Sequence, residues 1–307
     1  MPLQEDDAHG SHSRAFAALA LGVFAIGWSA LFVRWSAVPG WTSAFWRMTI
    51  AQLVFVPWAL AARGRAAPHP PRAAVIAAMI AGAFFAADLA LFNTAVMIST
   101  AANATLLGVN APVFVALGAW LLYRERPTAG FWLGFLLSLS GVIAIVGVDL
   151  LRHPTLGRGD ALALAGAVCY AGYLLFVRRS RAGLDALTFS AISGVTAAVC
   201  LGMLCLVIGS PMHGYPASSW WALLGLALVT QVVGHLSVAY SLGQLPVAIT
   251  SVALLGQAPL TALLAIPLLH EPLRPKHVVG GALVLAGIFI VTRPTRGATA
   301  LTAPLIE

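Results

Sequence analysis

Long uninterrupted apolar runs dominate this chain. Ten can be read, near residues 15–34, 42–62, 74–95, 98–122, 129–148, 160–177, 186–208, 219–240, 245–268 and 277–292. Most approach the roughly 20 residues that an α-helix needs to cross a hydrocarbon core of about 30 Å. A barrel strand needs only about 9–11 residues and alternates apolar with polar, so helices are the predicted elements. The breaks carry Pro, Gly or charge: Pro39-Gly40, Arg63 to Arg72, Arg124-Glu125-Arg126-Pro127 and Asp149 to Asp160. Later breaks are Arg178 to Asp185, Ser210 to Pro216, Gly243 to Pro246 and Glu271 to Lys276. Gly and Ala are frequent inside the runs, and in lipid such small residues let helix backbones approach closely. The pattern predicts an all-α membrane protein with ten transmembrane helices.

Composition agrees. Of 307 residues, 60% are hydrophobic and 9% are charged, against about a quarter charged in soluble domains. The net charge of +7 would suggest nucleic acid in a soluble chain. Here the basic residues sit between apolar runs, so topology accounts for them and no nucleic-acid partner is expected. The polar first fourteen residues lack the form of a cleaved signal, so the first run reads as a retained helix. An even span count with the N-terminus inside puts eleven basic residues in the cytoplasm: Arg14, Arg63, Arg65, Arg72, Arg124, Arg126, Arg178, Arg179, Arg181, Arg293 and Arg296. Four fall outside, Arg152, Arg158, Arg274 and Lys276. Both termini are therefore expected in the cytoplasm, as tails 1–14 and 294–307, with a linker at 149–159 outside. The preference for Arg over Lys, with abundant Ala and Gly, points to a GC-rich bacterial genome and hence to a bacterial plasma membrane.

The two halves repeat. Phe32-Val33-Arg34-Trp35-Ser36 closes the first run and Phe176-Val177-Arg178-Arg179-Ser180 the sixth, 144 residues later. Asn110-Ala111-Pro112 matches Gln257-Ala258-Pro259, 147 residues later. Glu125 is followed by Gly134 and Gly141 at nine and sixteen residues, and Glu271 by Gly280 and Gly287 at the same spacings. Any one match is weak, but their common order and offset indicate duplication of residues 15–148 as 160–293. Five spans per copy is an odd number, so the second copy enters the membrane from the opposite side. Inverted pairs of this kind are common in secondary transporters, where they support alternating access to a central site.

On these residues the chain resembles the drug/metabolite transporter superfamily, in particular its EamA-type members. The matching features are Gly27-Trp28 before Phe32, Arg47 in the second span, and the Pro112 to Glu125 stretch with its following glycines. The same order recurs from Pro259 to Gly287. The resemblance runs from Ala15 to Arg293 and implies ten helices in two inverted five-helix repeats around a central solute path. Two departures stand out: Ala191 lies near the position matching Arg47, and the Pro-to-Glu spacing is thirteen in one half and twelve in the other.

Polar residues inside the apolar spans are the candidate chemistry, because burying them in lipid is costly. Asp88 is the acidic residue deep in a span, either a proton- or solute-binding carboxylate or half of a structural ion pair. His235, 147 residues later, occupies almost the matching position, with Gln231 one turn before it. An imidazole titrates near neutral pH, so Asp88 and His235 are a candidate protonation couple; the alternative is a hydrogen bond from His235 to a neighbouring helix. Arg47 either binds a solute carboxylate or phosphate, neutralises Asp88, or snorkels to the interface. Trp28 and Tyr170 are candidate path-lining surfaces, and Asn93, Asn103 and Tyr240 are weaker candidates for the same cavity. Asn110 and Gln257 precede Pro112 and Pro259, where a proline frees carbonyls for solute or for a bend. Glu125 and Glu271 end their spans beside Arg or His and read as loop-fixing or gate residues.

No metal site or disulfide framework is expected from Cys169, Cys200 and Cys205, which all fall in apolar runs. No Walker-type loop suggests an ATP motor, and no cofactor is expected. The expectation is secondary transport, with efflux favoured, of a small polar metabolite such as an amino acid or related compound. The partners are that solute and membrane lipid, with protons as candidate coupling ion and the oligomeric state open. The competing readings are a membrane-embedded enzyme on a lipid-linked substrate and a non-transporting sensor or scaffold.

Overall fold

Backbone polar groups in a hydrocarbon solvent must satisfy one another, and a helix does this within a single segment. The computed structural model describes residues 3–62, 69–98, 107–108, 110–146, 157–269 and 275–293. Side chains are described from residue 13 onward except at 30, 93, 96–98, 146, 160, 262, 265–266, 269 and 276. The helices in order are α1 (Leu3–Gly27), α2 (Ser29–Ser36), α3 (Gly40–Ala62), α4 (Arg72–Ile98), α5 (Ala111–Tyr123), α6 (Ala129–Val146), α7 (Arg158–Arg181) and α8 (Ala186–Ile208). Then come α9 (Ala217–Gly225), a π-helical segment (Leu226–His235), α10 (Leu236–Leu242), α11 (Val247–Ala253), a 3₁₀ turn (Leu254–Gly256), α12 (Gln257–Leu269) and α13 (Pro275–Thr292).

Among the described residues, six helical stretches are long and apolar enough to cross a membrane: Ser13–Ser36, Gly40–Ala62, Arg72–Phe92, Ala161–Arg181, Ala186–Ile208 and Ala217–Leu242. Four shorter apolar ones follow the remaining runs, at Ala111–Tyr123, Ala129–Ile145, Val247–Thr261 and His277–Thr292. The protein is thus an all-α, multi-pass membrane protein. Three details differ from the runs read in sequence. α1 starts at Leu3, well ahead of the apolar stretch. The first run breaks at Trp28, where the Thr261 hydroxyl donates to the Gly27 carbonyl at 2.7 Å. In the fourth run a turn at Asn110 precedes α5, and residues 99–106 and 109 lie outside the described part.

Local chemistry sets the ends. Asp185 caps α8 by accepting from the Leu187 and Thr188 amides at 3.0 and 2.9 Å and from the Thr188 hydroxyl at 2.6 Å. Gly209, at φ 69°, takes the left-handed conformation that stops α8. Pro112 stands in the first turn of α5, and Pro259 third in α12. Pro112 occupies a first-turn position, where the missing N–H costs no intrahelical bond, whereas Pro259 follows a helical turn directly and leaves a carbonyl of that turn without its usual partner. That preceding turn is the tightened 3₁₀ one, at Leu254–Gly256.

Helices pair through glycines. α6 and α13 cross backbone to backbone: a methyl group on Gly134 would meet the Gly287 carbonyl, and one on Gly141 the Gly280 carbonyl. The glycines matched in the two sequence halves therefore face each other across one seam. Ser138 bridges it, donating to the Val284 carbonyl at 3.2 Å. α3 packs on α8, α4 on both α7 and α8, and α5 on α7, while α1 lies against the π segment and α10.

Candidate functional site

The helix pairings bring one charged side chain to the middle of the bundle. Arg47, on α3, is 6% exposed. Its Nε donates to Gln231 Oε1 at 2.9 Å, and its guanidinium lies 5.7 Å from the centre of the Phe85 ring. That face attracts a cation through the ring quadrupole. Among the described residues, the two terminal nitrogens of Arg47 have no hydrogen-bond partner. Asp88, one turn after Phe85 on α4, interacts with Arg47 through charge without a direct ion pair.

Aromatic side chains wall this centre. Tyr173 on α7 stacks on Phe85 with centroids 4.6 Å apart, and Tyr170 lies 5.8 Å from Tyr173. Both tyrosines are within electrostatic reach of Arg47 and Asp88. Gly166, one turn before Tyr170, lies beside the carboxylate: a methyl group there would stand in ordinary contact, 3.6 Å from Asp88 Oδ1. His235 completes the wall, its ring 4.9 Å from Phe85 and its Nδ1 3.5 Å from the Tyr173 hydroxyl. The centre therefore draws on α3, α4, α7 and the π segment, two elements from each half of the chain.

Gln231 and His235 both sit in that π segment, Leu226–His235. Such widened turns concentrate at functional sites, because they re-aim side chains that an α-helix would place elsewhere. No sequence signal announced it. Phe85 and Tyr173 were also missed, although each lies three residues from a candidate, Asp88 and Tyr170, on the same helix face. Around the other member of the candidate protonation couple, His235, Phe85 and Tyr173 pack against the imidazole, and the charge acting on it is that of Arg47.

Other described candidates have neighbours of their own. Trp28 is at the break between α1 and α2 and stacks on Phe32 at 6.0 Å. Asn110 precedes α5, its side chain donating back to the Leu107 carbonyl at 3.3 Å rather than capping the helix, and Gln257 opens α12 half-buried. Tyr240 lines an open groove of about 380 Å³ with Trp58, Asp185 and Ser237. Glu125 accepts from Arg178 Nη2 at 3.0 Å, while Nη1 of the same arginine donates to the Leu245 carbonyl at 2.7 Å. That arginine ties the ends of α5, α7 and α10 together. The Asn93 side chain, Asn103 and Glu271 lie outside the described residues.

The chemistry available is a planar cation with an unengaged two-nitrogen edge, a carboxylate, an imidazole and flat aromatic faces. An arginine edge of this kind matches a carboxylate or phosphate through paired hydrogen bonds. Among the described residues no three His, Cys, Asp or Glu side chains come close enough to hold a metal ion.

Comparison with known proteins follows the same lines. An uncharacterized transporter of Synechocystis is 35% identical over 104 residues, covering 34% of this chain and 31% of that protein. A protein of Streptantibioticus cattleyicolor, described as a probable terminal-alkyne amino-acid exporter, is 28% identical over 205 residues, 64% of this chain and 66% of that one. The matched stretches thus span from about a third to two thirds of these relatives. A crystal structure superimposes with a TM-score of 0.74 over 92% of this chain and 97% of its own, at 21% identity, a likeness of fold. The sequence profile of the EamA-like transporter family matches twice, over residues 13–147 and 157–293. These are transporters rather than enzymes, and the chain belongs to the EamA-like transporter family.

Proposed function

We propose that the protein is a secondary transporter that moves a small polar metabolite, an amino acid or a related compound, out of the cell by alternating access. The observation that carries this reading is the buried Arg47 guanidinium. It is held at Nε by Gln231 and backed by Phe85, with its terminal nitrogens left for a ligand. A structural arginine in lipid would have those donors paired, since an unpaired polar group there is costly. Asp88, Tyr170, Tyr173 and His235 complete the binding surface.

Ten helices in two inverted five-helix repeats supply the motion. Exchange of the halves turns the pairing of α4 with α7 into that of the π segment with α1, and both pairings occur. The same exchange maps the Gly134–Gly287 contact onto Gly280–Gly141, and both occur. With both termini cytoplasmic, the Glu125–Arg178 end faces inward. The description of the Streptantibioticus cattleyicolor relative as an amino-acid exporter supports both the solute class and the direction.

Purified protein in liposomes loaded with unlabelled amino acid should accumulate external radiolabelled amino acid by counterflow, and Arg47→Gln should abolish the signal. No counterflow with amino acids, sugars, nucleosides or cationic drugs would sink the transport reading. An imposed pH gradient then addresses coupling. Proton coupling through the carboxylate predicts that Asp88→Asn loses the gradient dependence, and full retention would remove Asp88 from that role.

A further inference from the structure

The seam between α3 and α8 holds a defect that the Arg47 centre does not use. Gln52 is 9% exposed, and both the nitrogen and the oxygen of its amide are buried without a hydrogen-bond partner. The Thr49 hydroxyl, one turn earlier on the same face of α3, is in the same condition. An apolar cluster that includes Ala51, Phe55, Ala191 and Ala227 lies along the same part of the bundle. Buried polar groups in native proteins almost always have partners, so each exception needs a cause.

The facing surface of α8 suggests one. The Gln52 amide lies flat on Gly194, where a methyl group would overlap it. Two buried serines flank that spot, Ser190 one turn away and Ser193 beside it. The Ser190 hydroxyl donates to the Ala186 carbonyl at 2.8 Å, which leaves its oxygen able to accept. Gly194 offers no side chain to obstruct travel of α3 along α8. The other end of the seam is pinned, with the Thr42 and Ser210 hydroxyls 2.9 Å apart and Trp46 Nε1 donating to the Met212 carbonyl at 2.9 Å. A shift about that pinned end carries Gln52 toward the serines.

We propose that Gln52 and Thr49 form a register catch between α3 and α8, unpaired in this conformation and hydrogen-bonded to the α8 serines in the opposite-facing one. Their desolvation disfavours the present state and keeps the two conformations close in free energy. This inference rests on the alternating-access reading above.

Spin labels at Leu53→Cys and Val199→Cys, both on exposed positions, report the swing of α3 against α8 about the pinned end. They would be placed in a chain whose three native cysteines are replaced, and measured in liposomes without solute. The wild-type side chains should give two distance populations. Gln52→Leu fills the same space without polar atoms. It should shift the ratio toward the conformation described here by about tenfold, the equivalent of one unsatisfied buried polar group, and slow counterflow. Thr49→Val should shift it the same way and serves if Gln52→Leu fails to fold. An unchanged ratio in these variants beside normal wild-type counterflow overturns the catch and leaves transport standing. A shifted ratio in a protein that shows no counterflow for any solute overturns the transport reading instead.

Discussion

Two helix pairs, α6 with α13 and α3 with α8, occupy equivalent places between the halves of the chain, yet their chemistry differs. The α6–α13 seam is closed by glycines at van der Waals limits, and its buried hydroxyl, Ser138, has a backbone partner. The α3–α8 seam carries the unpaired Gln52 amide and Thr49 hydroxyl, and its helix α3 also carries the buried Arg47. A seam with no polar debt and no free volume gains nothing from sliding, because every displacement loses dispersion contacts. A seam with unmet hydrogen bonds has something to gain from another register. The first pair fits a fixed post and the second a moving joint, with the arginine centre beside the joint.

The strongest way to break this contrast is to disrupt the post. Gly141→Leu would drive a side chain into the Gly280 carbonyl and Val284, and overpacking against backbone should cost about 3 kcal/mol. A large fall in melting temperature with poor recovery of monodisperse protein is expected; a stability near wild type would mean that the seam is looser than described. Arg47→Gln addresses the other region. It should remove about 2–5 kcal/mol of solute binding and leave the protein folded, seen as lost counterflow with an unchanged size-exclusion profile. If this variant unfolded while Gly141→Leu did not, the assignment of post and joint would be reversed.

Smaller effects sharpen the picture. Asp185 lies outside the membrane spans; partial burial works against its charge, but the bonds from the Thr188 hydroxyl and the Thr188 and Leu187 amides outweigh this and hold its carboxyl below the usual range. A depressed folded-state value means that the cap's stabilisation is complete above the ordinary carboxylate value of about 4 and fades as pH falls through the lower one. Asp185→Ala should thus cost about 1 kcal/mol at pH 7. In thermal melts, the gap from wild type should persist near pH 5 and narrow only in stronger acid. Ser138→Ala should cost least, roughly 0.6 kcal/mol, the average for an interhelical hydrogen bond in lipid. A loss several times larger would show the bridge, rather than the glycines, holding the post.

Much of the fold was legible because apolar run length is a strong constraint in lipid. The runs at 42–62 and 186–208 correspond closely to α3 and α8. Arg47, Asp88, Tyr170, Gln231 and His235 were visible as polar residues where polarity is expensive, and the folded chain gathers all five at one centre. Trp28 and Asn110 were flagged on the same grounds, and their contacts are with Phe32 and Leu107, since a linear reading gives the depth of a residue but not its helix face. Phe85 and Tyr173 were invisible for the opposite reason: an aromatic in an apolar run looks like any core residue until its neighbours are known.

What the sequence by itself determined is the class of protein, the approximate places of its helices, the internal repeat and the short set of polar residues worth examining. Those follow from solvation and periodicity, which act locally along the chain. Tertiary structure decided that the Arg47 terminal nitrogens have no hydrogen-bond partner among the described residues, that Phe85 and Tyr173 pack on His235, that a π segment carries Gln231, and that Gln52 lacks a partner. Each of these depends on the rotation and register of one helix against another. Those are set by side-chain packing between segments far apart in sequence, and no single run of residues encodes them.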